Sequence, residues 1–163
     1  MITVRGNTFE TNSSSTHAIS VSREVRKPFP EEQKYIAHID EYGWEHKIDH
    51  TLNYLYTAIV YNYPDCYKDY LDTIDLICKK YNISIEWVEP EWWFYRDGSK
   101  HLDNGYIDHG YELDGWIRDL MCNENLLINA IIGGRVETSN DNDGCDIDFM
   151  GSDEEYYNFY KGN

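Results

Sequence analysis

The densest chemistry in this 163-residue chain lies near its start. In Phe9-Glu10-Thr11-Asn12-Ser13-Ser14-Ser15-Thr16-His17, six consecutive small polar residues lead to an imidazole. Hydroxyls and backbone N–H groups in a turn can cradle an anion, and Arg5 or His17 could neutralise it. The alternative is a hydrogen-bonded loop in which Asn12 and the serines satisfy nearby backbone. No G-x-x-x-x-G-K-[ST] phosphate loop is present, and no serine sits in a G-x-S-x-G elbow.

A second group is Tyr106-Ile107-Asp108-His109-Gly110. An Asp and a His could share acid–base work, but chain neighbours point apart, so each would need another partner. A third is Glu137-Thr138-Ser139-Asn140-Asp141-Asn142-Asp143-Gly144-Cys145-Asp146. With Gly144 at the sixth position of a calcium loop, Ser139 and Met150 fall where the end carboxylates belong, so an acidic turn is the better reading. His46 and His50 are four apart, as for a metal on one helical face, but lack the Glu of the zinc-protease motif; an exposed helical pair is expected. Trp92-Trp93-Phe94-Tyr95 could stack bases, yet Glu89, Glu91 and Asp97 would repel a nucleic-acid backbone. Core packing or a protein interface fits better. Neither a metal nor a cofactor is implied.

The elements that must carry these groups follow from pattern. Met1–Val4 and Thr16–Val21 read as strands, the second with Ala18 and Ser20 on one side and His17, Ile19 and Val21 on the other. Pro28 and Pro30 make a loop of Val25–Glu32, and Tyr35–Ile39 reads as a third strand. Ile48, Leu52, Leu55 and Ile59 recur at helical spacing up to Pro64. The three-and-four pattern from Tyr67 to Tyr81 predicts a second helix, with Asp65 as N-cap and Lys79-Lys80 at its C-terminal end. Ile83–Val88 alternates as a strand, and Glu89–Gly110 is irregular, with Asp-Gly and Asn-Gly turns. Helices over Glu112–Met121 and Glu124–Ile132 follow, the latter stopping at Gly133-Gly134. Arg135–Thr138 and Asp146–Phe149 read as late strands around the loop Ser139–Gly144, and Asp153–Tyr160 as a final helical turn or two. The order predicts one α+β domain over residues 1–163, a mixed, mostly antiparallel sheet with about four helices packed to one side.

Composition narrows the function classes. Thirty acids against fourteen Lys and Arg give a formal charge of −16, and aromatics are 15% of the chain. So many rings argue against a disordered acidic tail. No apolar run is long enough for a bilayer, and Met1–Glu10 has no basic-then-apolar signal. Direct DNA binding would need a basic face. Cys66, Cys78, Cys122 and Cys145 form no C-x-x-C pair and are expected as free thiols, the first three buried among apolar residues. A cytoplasmic globule is expected. Residues 1–27 are net +2, with four basic groups against Glu10 and Glu24, which leaves −18 for the rest. From Glu137 onward, eight acids stand against Lys161 alone. Such charge either keeps the molecule dissolved or forms an anionic face for a cationic groove.

The segment from Arg5 to Ala18 resembles a group of small proteins encoded by phages and prophages of low-GC Gram-positive bacteria, which open with a similar F-E-T-N-S-S-S-T-H run. Tyr106–His109 and Glu137–Asp143 are similar to later stretches of that group, and together the three cover about a sixth of the chain. The resemblance carries no assigned activity. It implies a viral origin, and that the three polar groups belong to one site. Small acidic phage proteins often act on host defence, as anti-CRISPR inhibitors and DNA mimics do. The leading expectation is therefore an anti-CRISPR type inhibitor, not an enzyme, acting in the infected host's cytoplasm. Its binding residues are expected to be Asp141, Asp143, Asp146, Asp148, Asp153, Glu154 and Glu155, and its partner a defence nuclease or other nucleic-acid-binding protein. The competing expectation is an enzyme or ligand binder for a nucleotide or RNA phosphate. Its site would gather Arg5, Glu10, Asn12, Ser13, Ser14, Ser15 and His17, with His17, Asp108 and His109 as catalytic groups.

Overall fold

The structure, a computed structural model, describes residues 15–108, 113–140 and 155–161. Its centre is a helix that the sequence makes apolar almost all round. α1 (Thr51–Asn62) buries Leu52, Leu55, Ala58, Ile59 and Val60 together with Tyr54, Tyr56 and Thr57, so every side of it meets protein. Strands β1 (Ser15–Ser22), β2 (Gln33–Ala37), β3 (Glu41–Tyr42) and β4 (Lys47–His50) precede it. After it come α2 (Tyr67–Lys79), β5 (Ile83–Trp87), β6 (Trp92–Phe94), β7 (Lys100–Leu102) and β8 (Tyr106–Ile107). The order closes with α3 (Asp114–Cys122), α4 (Glu124–Gly133), β9 (Arg135–Asn140) and β10 (Glu155–Lys161).

This is a single-domain α+β arrangement with four helices, and its strands divide among several small sheets. An antiparallel sheet runs β10-β1-β9-β4, while β2 with β5, β3 with β8, and β6 with β7 form two-stranded ribbons. α1 and α4 both pack on β1, joined through a core that includes Trp116, Ile117 and Leu120 of α3. Gly134 is required where β9 begins. A Cβ there would lie 2.2 Å from Thr51 Oγ1, and the Gly134 carbonyl accepts the first amide of α1 at 3.0 Å.

Several expectations change. β1 alternates as read, but His17 to Val21 are all buried, so both faces of the strand are covered. Residues 47–50 pair with β9, so the first helix starts at Thr51, and Ile48 is half-exposed on a strand. His46 and His50 therefore share no helical face. Asp65 caps nothing; Cys66 occupies the N-cap without a side-chain bond, and Asp65 pairs with Lys100 at 3.4 Å. Residues 155–161 pair with β1 as a strand rather than coiling, in keeping with the aromatic spacing of Glu-Tyr-Tyr-Asn-Phe-Tyr-Lys. The irregular stretch contains the β6–β7 hairpin. Cys78 is buried, whereas Cys66 and Cys122 are exposed, and all three are free. The expected strands Met1–Val4 and Asp146–Phe149 and Cys145 lie outside the described residues.

Candidate functional site

Two of the three polar groups meet as neighbouring strands. Ser15 lies opposite Asn140, Thr16 opposite Ser139, His17 opposite Thr138 and Ala18 opposite Glu137. His17 turns toward α1, where its Nδ1 is 2.6 Å from the Tyr54 hydroxyl. The Tyr54 ring meets Tyr42 edge-on at 4.9 Å and lies 5.7 Å from Trp116. The Tyr42 hydroxyl donates to Asp49 at 2.5 Å; burial, then that carboxylate, lifts its pKa far above the phenol range. Asp49 also accepts from the His50 amide and from Asn53.

Of the remaining group, Tyr106–Asp108 lies alongside Tyr42. β8 pairs with β3, and the Asp108 amide donates to the Tyr42 carbonyl at 2.9 Å. The Asp108 carboxylate accepts from the Tyr106 hydroxyl at 3.1 Å, and burial followed by Asp108 pushes that phenol up to about 12. On the sheet face away from His17, the buried Glu137 carboxylate binds His46 Nε2 at 2.8 Å and Arg135 at 3.1 Å. Thr138 Oγ1, buried opposite His17 in the strand register, has no hydrogen-bond partner among the described residues.

His17, Ser20, Glu137, Thr138 and Ser139 are all buried on this one strand pair. Enclosed polar groups are costly unless bonded, so this region specifies one register and one packing. A catalytic base must reach its substrate, and His17 is 3% exposed and bonded to Tyr54. Arg5, Glu10, Asn12, Ser13, Ser14 and His109 lie outside the described residues, as do Asp141, Asp143, Asp146, Asp148, Asp153 and Glu154. Ser15 and Glu155 are placed only by their strands.

The outer surface inverts this chemistry. All four exposed large aromatic side chains among the described residues sit on the β3–β4 turn and the β6–β7 hairpin: Trp44 is 60% exposed, Trp93 59%, Phe94 64% and Tyr95 52%. Trp44 borders a depression of about 350 Å³ lined also by Asp40, Glu41, Glu45, His46 and Lys47. Its indole leans on Tyr106 at 5.8 Å, which meets Tyr61 edge-on. Lys47 pairs with Asp40 and lies 4.9 Å from the Tyr42 ring centre.

In the β6–β7 hairpin, alternation sends Trp92 inward to Tyr67 and Trp93 outward. Lys100 lies 4.6 Å from the Trp92 ring centre and pairs with Asp65. The turn is held by Asp97, which accepts from the Ser99 hydroxyl and amide and is thereby kept below the usual carboxylate range. Gly98 takes φ +87. The expectation for Trp92–Tyr95 thus divides, with Trp92 packed and the other three rings presented outward. Sequence reasoning missed Trp44 and Tyr54. A tryptophan between Gly43 and Glu45, just after the Asp40-Glu41 pair, was the available signal for the first.

The fold and the site together define a single-domain α+β protein with a polar interior strand pair and aromatic, acid-flanked outer turns. No protein-family model, curated protein or solved structure matches the chain. Among the described residues, no helix is long and apolar enough to cross a membrane, and no three His, Cys, Asp or Glu side chains gather as metal ligands.

Proposed function

We propose that this chain is a stoichiometric binding protein of the phage anti-defence, anti-CRISPR type. It presents an acidic, aromatic-rich surface to the Lys- and Arg-lined groove of a nucleic-acid-handling host enzyme in the infected cell's cytoplasm. The observation that carries the reading is the set of outward rings, Trp44, Trp93, Phe94 and Tyr95, on a chain of charge −16. Aromatic anchors hold protein interfaces, and complementary charge speeds encounter and selects the partner. Carboxylates spaced along a surface compete with phosphates for the same cations. Enclosure of His17 favours binding over catalysis.

The test is capture from a bacterial host lysate on immobilised protein, with identification of what is held and titration of its activity. About one copy per target should suffice, and rising salt should weaken capture. Lysine substitutions at Asp141, Asp143, Asp146, Asp148, Asp153, Glu154 and Glu155 should reduce both the affinity and its salt dependence. Unchanged binding across that series removes the phosphate-mimic reading.

A second reading rests on the pairing of β1 with β9, which sets Ser15, Thr16 and His17 opposite Asn140, Ser139 and Thr138. In it, Arg5, Glu10, Asn12, Ser13, Ser14, Ser15 and His17 take a nucleotide or RNA phosphate, with Asp108 and His109 as partners in acid–base work. His17→Ala would then abolish an activity seen at sub-stoichiometric protein. A binding protein keeps its effect in that variant.

A further inference from the structure

We infer that the depression beside Trp44 receives the guanidinium of an arginine side chain from a protein partner, with Trp44 as the stacking face and Glu41 and Glu45 as the accepting carboxylates. The molecule already holds two of its own cations this way. Lys47 sits near the Tyr42 ring and pairs with Asp40, and Lys100 sits over the Trp92 ring and pairs with Asp65. Trp44, Glu41 and Glu45 repeat that combination of ring and carboxylate; among the described residues neither glutamate carboxylate has an ion-pair partner, and Lys47, paired with Asp40, reaches Glu41 only at its backbone carbonyl, 3.4 Å away.

The walls are fixed in advance, which lowers the cost of binding. Trp44 is braced by Tyr106, which is braced in turn by Tyr61 and bonded to Asp108. His46 is tied to Glu137, and Lys47 to Asp40. Three carboxylates against one ammonium leave the lining anionic. Arginine fits better than lysine because its planar, weakly hydrated head stacks on an indole while its N–H fork bonds a carboxylate. A lysine head is a strongly hydrated point charge and offers no plane to stack.

This inference rests on the binding-protein reading, and its test separates the two. Calorimetric titration of the full chain with a short arginine homopeptide, and with a lysine homopeptide of equal length, reads the site directly. The arginine peptide should bind more tightly, and Trp44→Ala should weaken it by about tenfold while hardly affecting the lysine peptide. The double variant Glu41→Gln with Glu45→Gln should weaken it at least as much. Asp69→Asn with Asp72→Asn, which removes the same charge from the exposed face of α2, should change it by less than about threefold. Circular dichroism of each variant reports folding, and the glutamine pair keeps the test alive if Trp44→Ala misfolds. Equal binding of the two peptides overturns the inference, as does equal loss in the glutamate and aspartate pairs. If arginine binds at Trp44 but no nucleic-acid-handling enzyme is captured, the site stands and the anti-defence reading falls. If such an enzyme is captured equally by Trp44→Ala, the reverse holds.

Discussion

The β1–β9 pair and the two outer turns place opposite chemistry where proteins usually avoid it. Along β1 and β9 an imidazole bonded to Tyr54 and a carboxylate bonded to His46 and Arg135 are enclosed, beside the buried hydroxyls of Ser20, Thr138 and Ser139. On the β3–β4 turn and the β6–β7 hairpin, indole and phenyl rings stand in water among carboxylates. Enclosed polar groups such as His17 and Glu137 constrain the fold, because their partners must be in place. Exposed rings contribute little to the fold and are useful only when something covers them. Under the proposed binding function, the contrast assigns stability to the interior pair and recognition to the turns.

Substitution at Tyr54 should have the largest effect on stability. Tyr54→Ala removes a ring packed on Tyr42 and Trp116 and the hydroxyl bonded to His17, and should cost about 3–5 kcal/mol in chemical denaturation. Tyr54→Phe keeps the ring and should cost about 1–3 kcal/mol. If Tyr54→Phe is neutral, the His17 bond does not help to hold the interior pair.

Glu137→Ala is the next step down. It strips His46 and Arg135 of their carboxylate, but both can turn to water, so a loss of about 1–2 kcal/mol is expected from the same assay.

A smaller effect concerns pH. His50 Nδ1 accepts the Leu52 amide and so caps α1 as a neutral ring, and burial holds its pKa below the ordinary 6.5. The folded protein therefore takes up this proton less readily than the unfolded chain. Its contribution is complete above about pH 6.5 and declines as pH falls below it. His50→Asn, which can cap through its amide oxygen, should flatten the decline in melting temperature between pH 7.5 and 5 relative to the parent. Parallel curves would show that His50 does not titrate on unfolding.

The smallest stability change belongs to the turns. Trp93→Ala should shift stability by no more than about 0.5 kcal/mol and yet weaken partner capture. A large loss of stability there would erase the contrast between the two regions.

The sequence made one half of this contrast more legible than the other. Helical spacing located α1 through α4, and alternation located β1, because burying a face imposes a period on the chain. The join between β4 and α1 was hidden, since Ile48 continues the helical spacing while its backbone pairs with β9. Residues 155–161 were misread because a short aromatic run satisfies either period, and only pairing with β1 decides. Trp44 left little trace, since one exposed ring imposes no pattern. The pairing of β1 with β9 is a property of the folded sheet, which spacing does not encode. The structure shows that pairing for Ser15–Ser20 against Arg135–Asn140, with His17 opposite Thr138.

The most direct measurement is capture of the proposed host enzyme by two variants side by side. One is the triple change Trp44→Ala, Trp93→Ala and Tyr95→Ala on the turns; the other is Tyr54→Phe in the interior. The account predicts that the triple variant melts within a few degrees of the parent and loses capture, while Tyr54→Phe melts lower and, where folded, captures at full stoichiometry. Capture retained by the triple variant but lost in folded Tyr54→Phe would contradict it and move recognition to the buried strands.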